Sequence, residues 1–141
     1  RQISAAPPAR AETVPQGHGE TILVVEDEAG ILKLSQLMLE ELGYRVLTAA
    51  KPSAALQLAR SHAAHIDLLI TDVVMSEMNG RDLAQQLLAL HPHLKVLFMS
   101  GYTADVIAHR GMLDQGVHFV QKPFSSEDFA RSVHHVLEGP V

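Results

Sequence analysis

Short apolar runs alternate with longer stretches of helical period along most of the chain, and that alternation leaves few folds open. The runs are Thr21–Val25, Arg45–Ala49, 68–71, 95–99 and 117–120. Most are apolar at successive positions, as strands covered by helices on both faces must be. Between the first two runs, residues 29–42 repeat Ile31, Leu34, Met38 and Leu42 at helical spacing, a stripe that reads as core, and Gly43 follows as a C′ residue. Pro52 suits the first turn of a second helix reaching about residue 62, with Ala55, Leu58 and Ala59 facing inward. Asn79 is placed to cap a third helix over 81–90, ended by His91-Pro92. A less regular helix fits 104–113, and Ser125 with Asp128 opens a last one carrying Phe129, Val133, Val136 and Leu137 inward. The pattern is (βα)5. Right-handed crossovers then predict an α/β fold with a doubly wound, five-stranded parallel sheet in flavodoxin-like order.

Composition narrows the function classes. With 141 residues and no internal repeat the chain reads as one domain, and a hydrophobic share of 47% is that of a folded one. There is no cysteine, which rules out a disulfide scaffold, a thiolate zinc site and a thiol nucleophile. A net charge of −5 argues against direct contact with nucleic acid. No apolar run approaches the ~20 residues a membrane span needs. Residues 1–19, interrupted by Pro7, Pro8 and Pro15, read as a flexible linker; 20–138 read as the domain and 139–141 as a short tail.

The chemistry gathers at the strand ends. Glu26-Asp27 follow the first run, Asp72 the third and Ser100 the fourth, while Lys122-Pro123 come just after the fifth. In a parallel sheet these ends share one edge, where open α/β sheets bind ligands. Glu26, Asp27 and Asp72 together form an anionic, oxygen-rich cluster suited to Mg²⁺. Asp72 is the candidate nucleophile, since a carboxylate can attack phosphorus to give an acyl phosphate. The Lys122 ammonium would neutralise charge on the transferring group, and the Ser100 hydroxyl could donate to a phosphoryl oxygen.

Glu26-Asp27, Asp72, Ser100-Gly101 and Lys122-Pro123-Phe124, in this order on a (βα)5 frame, resemble the receiver domain of two-component response regulators. The resemblance covers about residues 20–138. It implies that Asp72 accepts a phosphoryl group from the phosphohistidine of a sensor histidine kinase or a histidine phosphotransfer protein. The domain then assists its own phosphorylation and dephosphorylation. Asp27 and Asp72 would bind Mg²⁺ directly, Glu26 through water, and the Val74 backbone carbonyl would complete the set. Ser100 would move toward the phosphoryl group, Lys122 would pair with it, and the Phe119 ring would swing inward. The face of the fourth helix, fifth strand and fifth helix would report the state. A cytoplasmic location follows, with no membrane contact by the domain, although the parent protein could be membrane-anchored.

Two positions depart from the family pattern. Ser76 stands where proline is common, which leaves that loop freer, and Phe119 lacks the hydroxyl of the more usual tyrosine. The nine histidines offer no ligand set: His134 and His135 are adjacent on a helix, and His62/His65 and His91/His93 lack partners. Alternatives are a receiver-like interaction module that signals without phosphorylation, and a stand-alone or truncated regulator. A nucleotide- or flavin-binding domain would want a Gly-rich turn where Glu26-Asp27-Glu28 stand. An aspartyl phosphatase would want a second acid where Val74 stands. The Pro/Ala-rich lead-in, a first residue that is not Met, the short tail and the stretch Met99-Ser100-Gly101-Tyr102-Thr103 resemble the C-terminal receiver of a hybrid sensor histidine kinase, with its own upstream kinase module as a possible phosphodonor.

Overall fold

The structure, a computed structural model, describes residues 17–61, 65–75, 77–100, 118–122 and 124–138. Strands β1 (Thr21–Val25), β2 (Arg45–Ala49), β3 (Leu68–Asp72), β4 (Lys95–Ser100) and β5 (His118–Gln121) form one sheet in the order β2-β1-β3-β4-β5. Every pairing is parallel. The described helices are α1 (Ala29–Glu41), α2 (Pro52–Ser61), α3 (Gly80–Leu90) and a C-terminal helix, Ser126–Glu138. The order is the doubly wound one expected from the alternation of runs. The expected helix over 104–113, the tail, Ser76 and Pro123 lie outside the described residues.

The unbroken apolar runs are explained by two cores. Side chains alternate across a strand, so Leu23 and Val25 face one side while Ile22 and Val24 face the other. On the first side Leu69 and Phe98 join Ala55, Leu56 and Ala59 of α2 and Leu83 and Leu87 of α3. On the second, Leu68, Ile70, Leu97 and Met99 meet Leu39 of α1 and Phe129, Val133 and Val136 of the C-terminal helix. Each fully buried side chain of this kind stabilises the fold by about 1.5–3 kcal/mol relative to leaving it in water.

Helix α1 corrects one expectation. Its buried residues are Ser35 and Leu39, with Leu32, Met38 and Leu42 packed against the same core. Leu34, expected inside, is 49% exposed, and Ile31 is only half-buried. The other termini behave as their residues require. The Asn79 side chain accepts the Asp82 N–H at 2.8 Å and the Ser125 hydroxyl accepts the Asp128 N–H at 3.0 Å. Gly43 takes a φ of 98° just after α1, a conformation that favours glycine. Gly17 and Gly19, at the end of the stretch read as a linker, donate their N–H groups to the Leu42 and Gly43 carbonyls at 2.6 and 3.1 Å.

Candidate functional site

The strand register lines up the expected residues. Val25 pairs with Ala49 and Thr71, Asp72 with Met99, and Ser100 with Gln121. The ladder continues one bond past several of these ends. Glu26 N–H donates to Ala49 at 3.2 Å, Val73 N–H to Met99 at 3.0 Å and Lys122 N–H to Ser100 at 2.6 Å, each to the backbone carbonyl. Residues far apart in the chain are thereby held at one edge by backbone bonds, before any side chain interacts.

The side chains then converge. Glu26, 1% exposed, and Asp72, 8% exposed, both receive the Lys122 ammonium, at 2.9 Å to Glu26 Oε2 and 3.2 Å to Asp72 Oδ2. The other Glu26 oxygen, Oε1, accepts the Glu28 N–H at 3.1 Å. Exposed Asp27 completes the cluster, and one carboxylate oxygen from each of Glu26, Asp27 and Asp72 lies within 4.8 Å of the others. A single ammonium facing three carboxylates leaves an excess of negative charge. Burial pushes the Glu26 carboxyl above its usual range, the Asp72 charge adds to this, and the Lys122 and Glu28 hydrogen bonds only partly oppose it. Burial acts to lower the Lys122 pKa, but its bond to Glu26 and the neighbouring carboxylates outweigh that and raise it. The donor set is hard oxygen at one open edge, so the residues fit a small divalent cation.

The backbone of Asp72 is gripped from behind. Gly80, the first residue of α3, donates its N–H to the Val73 carbonyl at 2.8 Å, and a Cβ at this position would overlap the Asp72 carbonyl oxygen. Only glycine lets α3 start this close to the end of β3. Ser100 is buried at the end of β4, one residue beyond the partner of Asp72. Phe119 pairs with Phe98 in the sheet and packs, half-buried, against the core shared with α2 and α3. Val74 follows Asp72 with an exposed side chain. The site expectations therefore occupy one edge, with Phe119 reaching the core below it.

Three features were not foreseen. Gly80 was legible only as part of an Asn-Gly turn, because its close approach to Asp72 depends on tertiary packing. Phe124 stacks on Phe129 with ring centroids 4.4 Å apart, and together with Ile31, Leu34 and Lys122 lines a small apolar hollow beside the cluster. The Ser53 N–H and hydroxyl donate to the Glu77 carboxylate at 2.9 and 3.2 Å, across 24 residues of chain.

Comparison with known proteins accounts for this geometry. The sequence model of the response regulator receiver domain matches residues 22–134. The chain is 36% identical over 118 residues to the sensor kinase CckA of Brucella abortus, covering 84% of this chain and 12% of that protein. It is 35% identical over 118 residues to the transcriptional regulatory protein CreB of Escherichia coli, covering 84% of this chain and 51% of CreB. These relatives thus extend well beyond the matched segment. The crystal structure of the receiver domain from the hybrid histidine kinase CckA superposes with a TM-score of 0.71 at 34% identity, covering 84% of this chain and 99% of that one. With its five-stranded parallel sheet and its acidic strand edge, the chain belongs to the response regulator receiver domain family.

Proposed function

We propose that Asp72 is the phosphoacceptor of this receiver domain and that phosphorylation is the signal it carries. The observation that carries the reading is the convergence of Glu26, Asp27, Asp72 and Lys122 at one sheet edge. An Asp72 carboxylate oxygen attacks the phosphorus of a phosphohistidine. The new P–O bond forms as the P–N bond breaks, and the leaving imidazole takes up a proton. Glu26, Asp27, Asp72 and the Val74 carbonyl would hold Mg²⁺, whose charge would offset that of the transferring group. Lys122, already bridging Glu26 and Asp72, can follow the phosphoryl oxygens once Asp72 is phosphorylated. Ser100 supplies a hydroxyl at the next strand end, and Phe119 links that end to the core as the switch residue.

The phosphodonor is a sensor histidine kinase or a histidine phosphotransfer protein. The likeness to CckA favours a hybrid histidine kinase as the parent, with this domain on its cytoplasmic side. No described helix is long and apolar enough to cross a membrane.

Incubation with Mg²⁺ and acetyl phosphate, read by intact mass, tests the reading. The protein should gain one phosphoryl group, and Asp72→Asn should gain none. An unchanged mass under conditions that label a control receiver would overturn it.

A further inference from the structure

Helix α2 has no acidic residue of its own in its first turn. Its exposed N–H groups at that end favour a negative partner. The partner comes from outside the helix. Glu77, from the chain between β3 and α3, presents Oε1 to the Ser53 N–H at 2.9 Å and Oε2 to the Ser53 hydroxyl at 3.2 Å. Both hydrogen bonds hold the Glu77 carboxyl below its usual range, and nearby Lys51 acts in the same direction. The same stretch of chain is anchored at its start by Val73, which donates to Met99 and accepts from Gly80. It is anchored at its end by Asn79, which caps α3. Val74 lies between the Val73 and Glu77 anchors, two residues after Asp72.

We propose that Glu77 is a positioning residue for phosphoryl acceptance: by capping α2 through Ser53 it tethers the chain after Asp72, so that the Val74 carbonyl is held ready for the cation bound by the carboxylates. The inference rests on the function proposed above. Glu77 touches neither the phosphoryl group nor the cation, and acts only through the backbone it restrains.

Mg²⁺ titrated calorimetrically into the wild type, Glu77→Ala and Glu77→Gln tests this, together with amide exchange at Ser53. Glu77→Ala should weaken Mg²⁺ binding about three- to tenfold, a size set by the loss of two exposed hydrogen bonds. It should also unprotect the Ser53 amide while leaving the melting temperature nearly unchanged. Glu77→Gln keeps an acceptor oxygen and should restore binding to within about twofold of wild type. Wild-type Mg²⁺ affinity in Glu77→Ala would overturn the proposal, as would a Gln variant as weak as the Ala variant, since that would assign the effect to charge alone. Wild type that binds Mg²⁺ but takes no label from acetyl phosphate would instead overturn the function on which the proposal rests.

Discussion

Among the described residues, Glu26 carries the sharpest electrostatic conflict. It is almost fully buried, its neighbour Asp72 is also an acid, and its only cationic partner among the described residues is Lys122. An ammonium shared by two carboxylates sits at the balance between desolvation and attraction, and removing it leaves buried charge without compensation. Lys122→Met is therefore expected to lower stability at neutral pH by about 1–3 kcal/mol in a metal-free buffer. Urea denaturation in the presence of a chelator measures this. Mg²⁺ should recover part of the loss, because the cation replaces the missing positive charge. A variant as stable as wild type without metal would show that solvent, rather than Lys122, neutralises the carboxylates. Most of these residues were legible from sequence, since each stands where an apolar run ends. Their roles were not equally legible. The shared lysine bridge was expected from the resemblance only as a contact to phosphate, whereas here it already satisfies two acids.

Among the elements, β1 and β2 have the bounds that their runs mark, although only β1 is buried almost throughout, whereas β2 is half-buried from Val46 to Thr48 and opens on the exposed Arg45. Helix α1 shows where that legibility stops. Ile31, Leu32, Leu34, Leu37, Met38, Leu39 and Leu42 spread over most of its circumference, so more than one stripe satisfies a 3.6-residue period. The buried stripe contains the polar Ser35, whereas the neighbouring stripe through Ile31, Leu34 and Met38 is apolar throughout. The link between Glu77 and Ser53 was illegible for another reason: two polar loop and helix-end residues 24 apart have no local signal that pairs them. The burial of Ser35 gives a test at this scale. Its hydroxyl is fully buried and has no hydrogen-bond partner among the described residues. Alanine removes the unmet hydroxyl and favours the helix, so Ser35→Ala should raise stability by about 1 kcal/mol. A lower denaturation midpoint would show that the hydroxyl holds a water or a partner that stabilises α1.

For the whole molecule, one sheet serves two demands, since the strand bodies build the two cores and the strand ends gather charge that the fold would be more stable without. The pKa of Glu26 expresses that cost. Its folded value is raised above the ordinary 4.5, so the folded state binds a proton that the unfolded state releases. The resulting contribution to stability is complete below 4.5 and is lost as pH rises through the raised folded value. Lys122, also raised, loses its contribution only as pH rises above the ordinary 10.5 through its own folded value. Glu77 has the opposite sign, its contribution being lost on acidification, so the Glu26 effect is isolated by comparison with Glu26→Gln. In a chelating buffer, the wild type should lose stability relative to Glu26→Gln as pH rises above 4.5 through the raised folded value. Mg²⁺ should reverse this trend, because proton and cation compete for the same carboxylates. At a Mg²⁺ concentration tenfold above its dissociation constant, the wild type should gain about 1.4 kcal/mol with Glu26 ionised, and less as the carboxyl protonates. Denaturant midpoints for both proteins, at each pH and with each buffer, measure the two slopes. If they are equal with and without Mg²⁺, then the acidic edge does not take up the cation, and the charge gathered there at the expense of stability has no such use.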